Sequence, residues 1–142
     1  MSSLHRTMPV IGATDFQTLS RLTIVALSND FDVGPDLSDK LENLWVLADD
    51  QVSTDTVCLG STVSYEVDGE KRQVTVVLPD EVRVDAAHLS VLTPLGVALL
   101  GLKPGDRGEW NSRDGRQHQL TVVSVDRAGQ RWAVASLAAN NQ

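Results

Sequence analysis

A short apolar segment with a distinctive residue at each end constrains the fold of this chain most. Thr93 predicts the start of a helix, because its hydroxyl can accept a free backbone N–H group, and Pro94 suits the first helical position. Gly101 predicts the end of the helix, since glycine adopts the left-handed conformation at little cost. Lys103–Asp106 then predicts a tight turn built on proline and glycine. The expected result is one short helix followed at once by a strand from Arg107.

Two segments with helical periodicity precede this helix in the first third of the chain. The first begins at Thr14 and continues to Ser28, and the second runs from Leu37 to Ala48 with Trp45 in its apolar stripe. A short polar loop joins the two segments. Residues 14–50 are therefore expected to form an antiparallel helical hairpin.

After residue 60 the hydrophobic pattern changes from helical spacing to alternation, which indicates β-structure. Two pairs of strands are predicted, each around an Asp-Gly turn: 61–67 with 72–78, and 107–110 with 117–125. A short strand is expected at 89–92, and the residues after Ala128 favour either a final short helix or a final strand. The fold class is therefore α+β, with a mostly antiparallel sheet packed on one short helix.

The charge distribution supports a division of the chain into two modules. Residues 1–59 carry nine acidic and three basic residues, a net charge of −6, whereas the remaining residues carry a net charge of −1. The expected organisation is an extended arm at 1–13, a helical hairpin at 14–50, a linker at 51–60 and a C-terminal domain at 61–142.

Composition excludes several classes of function. A net charge of −7 argues against direct nucleic-acid binding, because such affinity depends mostly on neutralised phosphates. No apolar run approaches the roughly 20 residues of a membrane span, and the first residues do not resemble a secretion signal, so a cytoplasmic protein is expected. A single cysteine excludes an internal disulfide. A monomer is the default expectation for the oligomeric state.

Residues able to perform chemistry do not form a known motif. Cys58 with His88 or His118 as its base would lack an orienting group, and a lone cysteine is more often a small core residue. His5, His88 and His118 do not have the short spacings of metal ligands, and no phosphate-binding glycine motif occurs. The sequence therefore predicts no catalytic residue, no metal and no cofactor.

The segment TPLGVALLGLKPGD resembles the signature SPLGxALLGxxxGD in the C-terminal domain of Gre-type transcription elongation factors. The chain as a whole resembles the short-armed Rnk group of that family, over roughly residues 37–125. The resemblance implies a coiled-coil hairpin followed by a domain of the FKBP-like fold. It also implies a non-enzymatic regulator that docks on RNA polymerase near the secondary channel without stimulating transcript cleavage.

The same resemblance identifies candidate docking residues, Leu92, Thr93, Pro94 and Leu95. In the Gre family the loop before the signature helix faces the polymerase, and Pro94 matches its proline. Leu92 stands where cleavage factors commonly have an acid, and Thr93 stands where they have serine. Core packing does not explain the apolar edge Leu92–Pro94, which is expected to be exposed and to act as an apolar docking surface.

Asp30, Asp32 and Asp36 are expected at the tip of the helical hairpin. In Gre factors, acids at the tip of a much longer hairpin help to hold a catalytic magnesium ion. Helices of about 13 residues rise only about 20 Å, which is short for that purpose. The three acids are therefore expected either to keep a loop solvated or to contact a basic channel rim.

Two other classes of function stay open at this point. One is an accessory module that uses the docking surface for a partner other than the polymerase. The other is a prolyl isomerase, which the implied fold suggests, although such enzymes need an aromatic pocket. The chain has only six aromatic residues, and Phe16, Phe31 and Trp45 are expected in or near the hairpin.

Overall fold

The computed structural model describes residues 9–29, 34–83, 85–112 and 114–126, and they form an α+β fold. The helices are α1 (Ala13–Ser28), α2 (Gly34–Glu42) and α3 (Pro94–Leu99). The strands are β1 (Val10–Gly12), β2 (Trp45–Leu47), β3 (Thr62–Val67), β4 (Glu70–Val77), β5 (His88–Ser90), β6 (Arg107–Asn111) and β7 (Gln117–Asp126). The segment after Ala128, with Trp132 and Val134, lies outside the described residues.

Five strands form one sheet in the order β5-β4-β3-β7-β6. Both predicted hairpins are confirmed, since β3 pairs antiparallel with β4 and β6 pairs antiparallel with β7. Asp68 and Gly69 both have positive φ angles, as a tight turn between twisted strands requires. A register shift between Ser64 and Tyr65 bends the central pairing of β3 with β7. Strand β5 joins the edge of β4 in parallel.

The predicted helix α3 is confirmed together with the residues that begin and end it. The Thr93 hydroxyl accepts the N–H of Gly96 at 3.0 Å, and Gly101 has a φ angle of 81°. Asp106 donates its backbone N–H to the carbonyl of Lys103 at 2.9 Å, which closes the predicted turn. Residues of α3 and its surroundings join the sheet in one core, whose fully buried members include Val63, Val76, Leu99, Leu100, Leu120 and Val122.

The prediction that the second helix continues to Ala48 was wrong, because α2 ends at Glu42. Asn43 ends the helix by donating its side-chain amide to the carbonyl of Asp39 at 2.8 Å. The chain then becomes strand β2, which pairs in parallel with β1, and the N–H of Trp45 bonds to the carbonyl of Pro9 at 2.8 Å. Trp45 is 59% exposed, so it is not a member of the buried stripe.

Helix α1 agrees with the predicted first helix, and Asp49 supports its first turn from outside. The carboxylate of Asp49 accepts the backbone N–H of Thr14 at 3.0 Å and also the Thr14 hydroxyl. These two hydrogen bonds lower the pKa of Asp49 below its usual value. Gly12, the N-cap residue of α1, has no side chain that could cap the helix, and the cap comes instead from the segment that follows β2.

The segment expected to be a linker, residues 51–60, makes buried contacts on both sides. Val57 exchanges backbone hydrogen bonds with the end of α3, donating to Leu102 at 2.8 Å and accepting from Gly101 at 2.9 Å. On the other side, the N–H of Leu59 donates to the carboxylate of Asp15 at 3.1 Å. Cys58 is buried, which confirms its interpretation as a core residue. This segment therefore fixes α1 against the end of α3.

Within the described ranges, no helix combines the length and the apolar character that crossing a membrane requires.

Candidate functional site

The loop between β5 and α3, which carries the predicted docking residues, is held by three local hydrogen bonds. The Ser90 hydroxyl accepts the N–H of Leu92 at 3.0 Å, and the Ser90 carbonyl accepts the Thr93 hydroxyl at 2.7 Å. The Thr93 oxygen in turn accepts the N–H of Gly96. These hydrogen bonds fix the loop relative to the helix, so its backbone is already ordered before a partner binds.

The predicted docking residues lie together, but they are less exposed than expected. Leu92, Thr93, Pro94 and Leu95 are all half-buried. The side chains of Leu92 and Leu95 pack partly against the hydrophobic core. The expectation that Leu92–Pro94 form an exposed apolar edge is thereby corrected, because each residue presents only part of its surface to solvent.

A groove of about 930 Å³ lies beside this loop, between α2 on one side and α3 and β6 on the other. Its apolar lining comes from Pro9, Pro94, Val97, Ala98, Leu102 and Trp110. Its charged lining comes from Asp36, Asp39, Lys40, Asp106, Arg107 and Glu109. Pro94 belongs both to the groove and to the predicted docking residues, so the two surfaces are continuous.

Trp110 is the one aromatic residue among the described residues that line the groove. Its ring stacks on His118 with a centroid distance of 5.0 Å and an interplanar angle of 21°. His118 also lies 3.0 Å from the hydroxyl of Ser112 through its Nε2 atom. The imidazole therefore has structural partners at the edge of the sheet, and it does not meet Cys58, which is buried elsewhere.

Lys40 is a functional candidate that sequence reasoning missed. Its side chain reaches from α2 to α3, where Nζ donates to the carbonyl oxygen of Ala98 at 3.2 Å. Burial of the amine lowers the pKa of Lys40 to about 8. The only sequence signal was a single lysine within an acidic amphipathic helix, which does not indicate which neighbour the lysine meets.

The predicted acidic tip is only partly described by the structure. Asp30 and Asp32 lie outside the described residues. Asp36 lies in the first turn of α2, where it is exposed and lines the groove. In the described part of the chain, no three His, Cys, Asp or Glu residues are placed to hold a metal ion.

Residues 52–127 match the family described as transcription elongation factor GreA/GreB, C-terminal. This match covers the loop, α3 and all strands of the five-stranded sheet. The chain belongs to the GreA/GreB family.

Curated relatives of this GreA/GreB-family chain carry two kinds of name. A protein of Escherichia coli strain K12 named regulator of nucleoside diphosphate kinase is 32% identical over 92 residues, which are 63% of this chain and 68% of that protein. The transcription elongation factor GreA of Chlorobium phaeobacteroides strain BS1 is 33% identical over 87 residues, which are 58% of this chain and 54% of that protein. The chain thus matches only about half of the length of this GreA.

A solved structure extends the similarity beyond the C-terminal family match. The GreA/GreB elongation factor of Nitrosomonas europaea has a TM-score of 0.68 and 30% sequence identity to this chain. The superposed region covers 83% of this chain and 98% of that protein. Residues 52–142 are 91 of the 142 residues, about 64% of the chain. Because 83% exceeds that share, the structural likeness includes residues before residue 52.

Proposed function

We propose that this protein binds RNA polymerase near its secondary channel and regulates transcription without stimulating transcript cleavage. The observation that carries the proposal is the family match over residues 52–127, which includes the signature helix and the loop before it. In this proposal the protein is not an enzyme, needs no cofactor and acts in the cytoplasm. Residues 14–50, which contain α2, β2 and nearly all of α1, serve as a projecting helical arm, and the domain from residue 61, FKBP-like in fold, serves as the docking body.

The proposed polymerase contact is the half-buried set Leu92, Thr93, Pro94 and Leu95. A pre-ordered loop loses little conformational entropy on binding, and partly exposed apolar side chains on it are suitable anchors. Leucine at position 92, where cleavage factors commonly carry an acid, favours apolar contact over a charged one.

The lengths of the helices support regulation without cleavage. Helix α1 has 16 residues and α2 has nine, so the arm rises by about 24 Å along α1 and about 13 Å along α2. An arm of this length suits the mouth of a channel better than its interior. Asp30, Asp32 and Asp36 would then speed the encounter with a basic rim and add a dependence on salt concentration.

The test compares two truncations that remove similar apolar groups. Leu92→Ala should weaken binding to core RNA polymerase about fivefold or more, the range of a moderate interface anchor. Val82→Ala, at a residue that is 44% exposed and outside the proposed surface, should leave the dissociation constant unchanged. Equal affinities for the wild type and the Leu92→Ala protein, at matched folded fractions, would refute the proposal that this surface binds the polymerase.

A second measurement addresses the absence of cleavage. Adding the protein to a backtracked elongation complex should not accelerate transcript shortening, and excess protein should slow shortening by a cleavage factor that competes for the same site. Faster shortening with the protein alone would contradict the proposal.

A further inference from the structure

Among the described strands, β6 is the last at one edge of the five-stranded sheet, and part of its backbone faces away from the sheet. The N–H of Ser112, just past β6, bonds to the carbonyl of Arg116 at 2.9 Å. Because hydrogen-bonded positions alternate along an antiparallel pair, every second residue of β6 turns its N–H and C=O groups away from β7. These residues are Arg107, Glu109 and Asn111. Within the described ranges no hydrogen bond reaches these outward backbone groups, so the edge can pair with another extended chain.

The groove runs along this open edge. All five residues of β6 line it, together with Gly105 and Asp106 from the turn before the strand. Because successive side chains of a strand point to opposite faces, lining by consecutive residues places the groove beside the edge rather than over one face. A strand of five residues is about 17 Å long, so a peptide segment of similar length can lie beside β6 in the space of about 930 Å³.

The wall opposite β6 is acidic. Asp36 and Asp39 lie three positions apart on α2, so they project from the same face of the helix, and both are exposed in the groove. Neither carboxylate belongs to an ion pair found among the described residues. The described lining as a whole carries four carboxylates and two cations: Asp36, Asp39, Asp106 and Glu109, with Lys40 and Arg107. The groove therefore favours a cationic occupant.

We propose that the open edge of β6 binds an extended basic peptide segment of a partner protein as an added strand. The outward N–H and C=O groups of β6 supply backbone hydrogen bonds, which fix the peptide along the groove. Lysine or arginine side chains of the peptide meet Asp36 and Asp39 on the opposite wall, and the ring of Trp110 attracts a further cation. Pro94, Val97 and Leu102 accept the apolar side chains of the peptide.

The same charges argue against a second copy of this chain as the occupant. Two copies that met edge to edge would bring together two linings, each with four carboxylates against two cations. The whole chain also carries a net charge of −7, so two copies repel each other at low ionic strength. A basic peptide removes this repulsion, whereas a second copy increases it.

The first test measures binding of the full-length protein to a fluorescent heptapeptide in which lysine alternates with valine, by fluorescence anisotropy at low salt. The peptide in which glutamate replaces every lysine should bind about tenfold more weakly or not at all. Equal binding of the two peptides would overturn the charge argument. Sedimentation of the free protein as a dimer that binds neither peptide would assign the groove to a second copy and overturn the proposal.

A second pair of peptides separates strand addition from simple charge attraction. One is N-methylated at its lysines and the other at its valines, so both keep the full positive charge. The N–H groups of alternate residues point to the same edge of a strand, so one of the two peptides should lose binding and the other should keep it. Loss in both peptides, or in neither, would overturn pairing with the β6 edge.

Two double variants with the same change in net charge test the acidic wall. Asp36→Asn with Asp39→Asn should weaken binding of the lysine peptide about threefold or more at low salt. Asp50→Asn with Asp80→Asn changes two exposed acids outside the groove and should leave the affinity unchanged. Equal weakening by the two double variants would show that net charge alone attracts the peptide, and would overturn the proposed site.

This proposal does not depend on binding to the polymerase. Leu92 does not belong to the described lining of the groove, so Leu92→Ala should bind the lysine peptide as tightly as the wild type does. A matching loss of peptide affinity in Leu92→Ala would overturn the placement of the peptide beside β6.

Discussion

Replacing Gly96 by alanine tests how tightly α3 is seated on the sheet. A Cβ atom built on Gly96 would lie 2.4 Å from the carbonyl oxygen of Ser90 and 3.0 Å from both Thr93 Oγ1 and Val91 Cα. Favourable contacts begin at about 3.5 Å, so the helix must retreat by about 1 Å. The Ser90 carbonyl also accepts the Thr93 hydroxyl, so the same retreat disturbs the cap of α3.

The expected loss combines three terms. Overpacking against backbone costs about 3 kcal/mol, the upper part of the usual range, because a carbonyl cannot rotate away as a side chain can. A weakened N-cap adds a loss of about 1 kcal/mol, and the higher helix propensity of alanine offsets about 1 kcal/mol of the total loss. Gly96→Ala should therefore lower the free energy of unfolding by about 3 kcal/mol, which corresponds to a fall in Tm of about 10 °C.

Urea denaturation followed by circular dichroism measures this change, with Gly115→Ala as the matched control. Gly115 has a φ angle of 85° and no atom within 4 Å of a built Cβ, so its substitution carries only the backbone cost, about 1 kcal/mol. If Gly96→Ala unfolded within about 0.5 kcal/mol of the wild type, the close seating of α3 on Ser90 would be refuted.

Three further predictions follow from the helical part and its surroundings. Trp45→Ala should change the free energy of unfolding by less than about 1 kcal/mol because Trp45 is 59% exposed. Leu41→Ala should lower the free energy of unfolding by about 2–5 kcal/mol because Leu41 is buried. Equal losses for the two variants in urea denaturation would contradict the placement of both residues. The hydrogen bonds from Thr14 lower the pKa of Asp49, so their stabilisation is present above the unfolded pKa of about 3.9 and is lost as pH falls through the folded pKa. The wild type should therefore lose stability relative to Asp49→Asn below about pH 4, and parallel pH profiles would show that the bonds contribute nothing. Burial lowers the pKa of Lys40, so the unfolded state binds more protons than the folded state between about pH 8 and about pH 10. The wild type should therefore gain stability relative to Lys40→Met as the pH rises over that interval. A stability difference between the two proteins that does not change with pH would contradict the burial of the amine.

The features that sequence predicted well are those that neighbouring residues determine. Thr93 and Gly101 define α3 through hydrogen bonds and backbone angles within the same short segment. The two Asp-Gly turns define their hairpins in the same local way, since the turn sets the register of the strands beside it.

The features that sequence missed depend on a distant partner. Trp45 continues the helical spacing of α2, yet it pairs with Val10 of β1, 35 residues earlier in the chain. Lys40 is recognisable as a special amine only after α2 has packed against the end of α3. Periodicity describes which face of an element is apolar, but it does not state which other element covers that face.

The parallel pairing of β1 with β2 allows the helical pair α1–α2 to vary in length. The Val10–Trp45 rung fixes the entry and exit of the helical pair about 4.8 Å apart, whatever the number of helical turns beyond it. Doubling the length of an enclosed segment costs only about 0.6 kcal/mol in closure entropy, and each added helical turn lengthens the arm by about 5.4 Å. Helical turns can accordingly be added at the ends of α1 and α2 that lie away from this ladder. The turns near the ladder must be kept, because Lys40 of α2 bonds to Ala98 of α3 and Leu19 and Leu41 belong to the same core as α3.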